Sequence, residues 1–136
     1  MTIAVGFTGT RNGMSSSQMQ SFRKLVAELL NNDSSFHHGD CIGADAEAHD
    51  IVLSIIPDIS IVIHPPSKGT MRAYKDQGHV LPPKDYIARN HNIVDSTSVL
   101  IAAPSSAEHD PASKRSGTWA TIRYARSKGK KIYILK

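Results

Sequence analysis

Ile3-Ala4-Val5-Gly6-Phe7-Thr8, followed at once by Gly9-Thr10-Arg11, is an apolar run too short for a helix and closed by a turn. It reads as a buried first strand. Ser15-Ser16-Ser17 then offers hydroxyl caps, and Met19, Phe22, Val26, Leu29 and Leu30 share one face of a helix that ends near Asn31-Asn32. From there strand and helix patterns alternate. Residues 35–38, 59–63, 98–102 and 131–135 read as short strands; residues 43–56, 86–94 and 118–127 read as helices, the second helix stopped by Pro57 and the last by Gly129.

That alternation specifies an α/β fold, a single Rossmann-like three-layer domain over residues 1–136. A five-stranded parallel sheet, with right-handed crossovers and helices on both faces, is expected in the order 3-2-1-4-5. The order reverses between the first and fourth predicted strands, so the ligand crevice belongs beyond their C-terminal ends. Polar residues gather there, after each strand in turn. Two connections, about residues 64–84 and 104–115, are too long to be mere links, and both leave this same edge.

A chain of 136 residues with a formal net charge of +4 has ordinary apolar and charged fractions and room for one core. No apolar run approaches a membrane span, Met1 precedes strand-like sequence instead of a leader, and the lone Cys41 excludes an internal disulfide. A cytoplasmic protein with no membrane partner is expected. The basic residues Lys114, Arg115, Arg123, Arg126 and 128–131 concentrate near the C-terminus, where they read mainly as a solvated helix face.

Two small-residue turns carry the functional reading. Thr8, Gly9, Thr10 and Arg11 leave the first strand, and Ser116, Gly117 and Thr118 open the last helix; free backbone N–H groups at such turns suit phosphate oxygens. Between them, Gly39-Asp40-Cys41-Ile42-Gly43-Ala44-Asp45 forms the second strand-to-helix turn. Asp40 is suited to ribose hydroxyls, and Asp45 is suited either to the helix start or to acid–base work. Arg89 and Asn90 lie on the helix before the fourth strand, with Lys84 and Asn92 able to project the same way, and Arg89 is suited to a bidentate phosphate contact.

The seven histidines do not adopt a metal-ligand spacing, and His37-His38 on a strand point to opposite faces, so no metal and no cofactor is expected. No serine occupies a nucleophile elbow, and Cys41 has no designated base.

Val5-Gly6-Phe7-Thr8-Gly9-Thr10-Arg11, the run from His38 through His49, Arg89-Asn90-His91-Asn92-Ile93-Val94-Asp95 and Arg115-Ser116-Gly117-Thr118-Trp119-Ala120-Thr121 together resemble the SLOG superfamily of Rossmann-like nucleotide-binding domains. The resemblance covers nearly the whole chain, is strongest to the DNA-processing protein A branch, and extends more distantly to the Lonely Guy phosphoribohydrolases. It implies a nucleotide-type small molecule as ligand, single-stranded nucleic acid as an alternative partner, and a homo-oligomer. The ligand set it implies is Thr8, Gly9, Thr10, Arg11, Gly39, Asp40, Gly43, Arg89, Asn90, Ser116, Gly117 and Thr118. Phosphoribohydrolases of this superfamily carry a catalytic glutamate where this chain has Thr121. Cleavage of an N-glycosidic bond would therefore fall to Asp40, Asp45 or Glu47, the first two being the preferred acidic groups, with Arg89 orienting the phosphate.

Overall fold

The computed structural model describes residues 3–136; Met1, which the sequence reading sets before the first strand, lies outside them. In chain order the elements are β1 (Ala4–Gly9), α1 (Ser16–Leu29), β2 (Ser35–His38), α2 (Ala44–Ile55), β3 (Ser60–Ile63), β4 (His79–Val80), α3 (Tyr86–Asp95), β5 (Val99–Ala103), α4 (Gly117–Ser127) and β6 (Lys131–Ile134). Short 3-10 turns at Gly69–Met71 and Pro111–Arg115 interrupt the two long connections.

All strand pairs are parallel, and the sheet runs β4-β3-β2-β1-β5-β6. The five expected strands stand in the expected order. The sixth, β4, pairs with the outer edge of β3 through Val62↔His79 and Ile63↔Val80. It has two residues, both exposed, so it carries no alternation that a sequence could display.

Alternate residues of the central strands face opposite layers. Val5 and Phe7 join Phe22 and Val26 of α1 and Val52 of α2 in the main core. There Phe7, Phe22 and Phe36 meet with ring centroids 5.2–6.2 Å apart, the Phe7–Phe22 pair edge to face. Gly6 faces the other way. A Cβ on it would stand 2.8 Å from Ile93 Cγ2, so its bare backbone lets α3 press onto β1. On that second face Leu100 packs with Val94 and Ala125, and the small Ala102 makes room for Trp119 and Ile122 of α4. Every residue of β5 is buried, as a strand covered on both sides requires.

Helix α1 starts where its caps allow. The Ser15 hydroxyl accepts from Gln18 N–H (3.0 Å) while the Gln18 side chain accepts from Ser15 N–H (3.0 Å), a reciprocal capping box. No helix among the described residues is long and apolar enough to cross a membrane.

Candidate functional site

The C-terminal edge of the sheet gathers the turns after β1, β2, β3 and β5, and the glycines in those turns do different jobs. Gly9 is a packing glycine: a Cβ there would lie 2.6 Å from the Ala44 Cβ. Gly43, with φ +93°, would drive a Cβ to 2.2 Å from the Arg11 carbonyl oxygen. The first two turns are thus locked together. Thr10 N–H donates to Ala103 O (3.2 Å), and Ala44 N–H at the start of α2 donates to Thr10 O (3.0 Å). The start of α2 is closed by Thr10 O, and Thr8 is buried. Arg11 is exposed, its guanidinium 3.2 Å from Met71 Sδ.

Gly117 is the exception. It opens α4 behind the Ser116 N-cap, whose hydroxyl accepts from Trp119 N–H (3.2 Å), and a Cβ on it would meet nothing within 4 Å. Packing gives no reason for glycine here; open space in front of the backbone does. Thr118 is buried in the same helical turn, and the Thr121 hydroxyl donates back to Gly117 O (2.9 Å). Lys114 and Arg115, just upstream, line an open hollow with Pro111 and Ala112.

Asp40 occupies a left-handed conformation (φ 54°) and is fully buried. Its carboxylate accepts from Arg72 Nε (2.7 Å) and Lys75 N–H (2.9 Å), and its carbonyl from Ala73 N–H (2.7 Å). The carboxylate chosen from sequence for a ribose therefore straps down the loop over residues 64–84. Its own N–H donates to His38 Nδ1 (2.9 Å), which fixes a chain of tautomers. His38 must carry its proton on Nε2, which donates to His49 Nδ1 (2.9 Å); His49 Nε2 then donates to Gln77 Oε1 (3.4 Å). Burial first, then the positive surroundings of His49, His64, Arg89 and Lys75, hold His38 well below the ordinary histidine range. On the opposite face His37 Nδ1 meets His64 Nε2 at 2.9 Å, and burial pushes both rings down to about 4.

Arg89, 6% exposed, reaches from α3 beneath the second turn. Its guanidinium donates to Gly39 O, to His64 O (3.3 Å) and to Asn90 Oδ1 (2.7 Å), and touches Cys41 Sγ at 3.5 Å. Gly39 is glycine because the Arg89 guanidinium and Asp45 Oδ2 both occupy the space of its side chain: a Cβ would stand 2.5 Å from Arg89 Nη1 and 2.9 Å from Asp45 Oδ2. Asp45 Oδ2 accepts from Cys41 N–H (3.3 Å), while Oδ1 is buried without a partner. Burial lifts the Asp45 carboxyl to about 6, against the pull of Arg89 and two backbone N–H groups. Burial, followed by the Asp45 charge, also raises the Cys41 thiol.

Gly39, Asp45 and Arg89 are thus brought together, Thr10, Arg11 and Gly43 form a second group, and Ser116, Gly117 and Thr118 a third. Sequence reading did not find Arg72, Lys75 or Gln77, the partners of Asp40 and His49, because they stand in an aperiodic loop. His64 directly follows β3 at the predicted ligand edge, but no spacing to the other histidines reveals its pairing with His37. Among the described residues no three His, Cys, Asp or Glu side chains converge as a metal site.

No family model matches the sequence, and no curated protein matches it. Solved structures do match in fold. The chain is similar to the molybdenum cofactor binding protein from the phototrophic bacterium Rippkaea orientalis (16% identity, TM-score 0.72, covering 98% of this chain and 76% of that one). It is similar to the Moco carrier protein from Chlamydomonas reinhardtii (18%, 0.67, 99% and 76%). It is also similar to DNA processing protein A from Helicobacter pylori, solved for its single-stranded DNA binding mode (19%, 0.65, 97% and 64%). The chain spans less than two thirds of that last protein's length. With its strand order, its helices on both faces and these likenesses, the chain carries a Rossmann-like fold shared with these proteins.

Proposed function

We propose that this chain binds a nucleotide or nucleotide derivative at the C-terminal edge of its sheet, with a phosphate on the N-terminus of α4. One observation carries the reading: Gly117 alone among the edge glycines has open space where a Cβ would be, whereas Gly9, Gly39 and Gly43 are explained by neighbouring atoms. A phosphate oxygen can approach that bare backbone, favoured by the helix dipole and by the nearby Lys114 and Arg115. The fold neighbours supply a second support, since their names record binding of a molybdenum cofactor and of single-stranded DNA.

The test is mass spectrometry of small molecules released from freshly purified protein, followed by a thermal-shift screen of mononucleotides and ADP-ribose. A stabilising nucleotide is expected, with its effect abolished in Gly117→Val and the fold of that variant intact. Equal shifts in both proteins would sink the reading. If single-stranded DNA binds instead, its affinity will fall steeply with salt, and a pocket-held mononucleotide will respond weakly.

A second reading, cleavage of an N-glycosidic bond, rests on Asp45, whose carboxyl at about 6 is suited to proton transfer near neutral pH. It predicts free base and sugar phosphate on prolonged incubation, absent in Asp45→Asn. Homo-oligomer formation, implied by the resemblance, is read from sedimentation of the same preparations.

A further inference from the structure

Apart from glycines, only two described residues take a left-handed backbone, Asp40 (φ 54°) and Tyr74 (φ 59°), and they are fastened to each other. Ala73 N–H donates to Asp40 O (2.7 Å) and Lys75 N–H to Asp40 Oδ1 (2.9 Å), so the chain is fixed on both sides of Tyr74 and the residue between must turn. That accounts for the conformation but not for the side chain. Glycine takes this backbone freely, whereas any residue with a Cβ is strained in it. Burial of the ring could offset the strain, yet Tyr74 is 62% exposed, the most exposed of the large apolar side chains described. A strained residue that the core does not need points to a task outside the core.

The ring is nonetheless held in place. The Arg72 guanidinium lies over it, with Cζ 4.7 Å from the ring centroid, and is itself anchored by the 2.7 Å bond from its Nε to the buried Asp40 carboxylate. At the far end, the tyrosine hydroxyl fills the space in which Gly69 would carry a Cβ, only 2.7 Å from that position. One face of the ring is thus backed by a fixed guanidinium and the other is open to solvent. A rigid aromatic face of this kind is a stacking surface for nucleobases, all of which present a π-face.

The segment belongs to the ligand edge. Met71 O accepts from Ile42 N–H (3.1 Å), and Met71 Sδ meets the Arg11 guanidinium at 3.2 Å, which joins it to the turns after β2 and β1. Arg11 and Lys68 are exposed cations without an ion-pair partner among the described residues, a charge that suits an anionic ligand. Residues 68–75 lie outside the four stretches that carry the superfamily resemblance.

We propose that Tyr74, backed by Arg72, is the stacking platform for the base of the bound nucleotide, and so the residue that distinguishes a nucleotide from a bare sugar phosphate. This rests on the nucleotide reading above and assigns the base end, which the start of α4 leaves open.

The experiment is an NMR titration of the full chain with ADP-ribose and, separately, with ribose 5-phosphate, which has no base; the amides of the first turn of α4 report binding of either. Tyr74→Gly removes the ring and suits the backbone, and it is expected to weaken ADP-ribose about tenfold or more while leaving ribose 5-phosphate unchanged. Tyr74→Phe keeps the ring and is expected to bind both as the wild type does. Wild-type affinity for ADP-ribose in Tyr74→Gly would overturn the platform, and a loss of binding in Gly117→Val alongside it would leave the nucleotide reading standing. Equal weakening of both ligands in Tyr74→Gly would show that the ring serves the fold and would also overturn the platform. If neither ligand binds the wild type, the nucleotide reading fails and the platform with it.

Discussion

Gly9 and Gly117 look interchangeable as letters, each in a turn at the end of a strand-to-helix connection, and the structure separates them by what surrounds the missing Cβ. Gly9→Ala forces a methyl against the Ala44 Cβ, which can yield only by moving α2, and is expected to cost about 1–3 kcal/mol in urea unfolding. Gly117→Ala meets nothing and should be neutral or slightly stabilising; a comparable loss there would remove the argument that its glycine serves a ligand. Asp45 makes a different kind of prediction. Its carboxyl sits at about 6 in the folded chain against 3.8 when free, so the unfolded state ionises first and folding loses stability as pH rises from 3.8 through about 6. Asp45→Asn removes this dependence. The stability of the wild type relative to the variant should therefore fall by up to about 3 kcal/mol between pH 3.8 and 7, a difference in which the titration of every other group cancels. A difference that stays level over that range would mean that Asp45 is not held as an enclosed carboxyl. These distinctions lie beyond sequence, because a one-letter code records that a side chain is absent and not what stands in its place.

Elements with a long apolar pattern were legible. The run of residues 3–8, the staggered Phe22 and Val26, and the alternation of short apolar segments fixed which layers form and in what order, since each must bury one face. The capping serines before α1 were also readable, although the helix opens at Ser16, well after the Gly9 turn. What was not legible is how the connection over residues 64–84 is held. Its order comes from single long-range bonds to Asp40, to which Arg72 and Lys75 contribute from an aperiodic stretch, and from Lys75 to Asp50 (2.9 Å). The amides of Ala73 and Lys75, which donate to Asp40 O and Asp40 Oδ1, should exchange slowly with solvent in the wild type. In Asp40→Asn the Lys75 amide is expected to lose most of its protection while the amides of β1 keep theirs. Unchanged protection of Lys75 would return Asp40 to the list of groups free to meet a ribose.

Across the whole molecule, four of the seven histidines are buried as neutral rings, two on each face of the sheet: His37 with His64, and His38 with His49. All four are held below the ordinary histidine value of 6.5, and His37 and His64 reach about 4. The unfolded chain therefore binds more protons than the folded one below pH 6.5. Stability from these groups is complete above 6.5 and is lost as pH falls toward 4, the opposite sense to Asp45, and His37 and His64, both at about 4, together outweigh that one carboxyl. The melting temperature is expected to drop steadily over that interval, and a flat profile would show that the rings are not enclosed. Sequence placed His37 and His38 on opposite faces of a strand but had no means of naming their partners 27 and 11 residues away. One last feature makes the proposed ligand edge observable without any label. Trp119, the chain's single tryptophan, lies two residues past Gly117, is 2% exposed, and donates its indole N–H to Ser106 O (2.9 Å) in the long connection before α4. Excited selectively over the four tyrosines, its emission therefore comes from one ring wedged between that connection and the sheet. A ligand that settles on the start of α4 and draws the connection with it will register as a change in emission intensity or wavelength, so the protein carries its own optical gauge of occupancy.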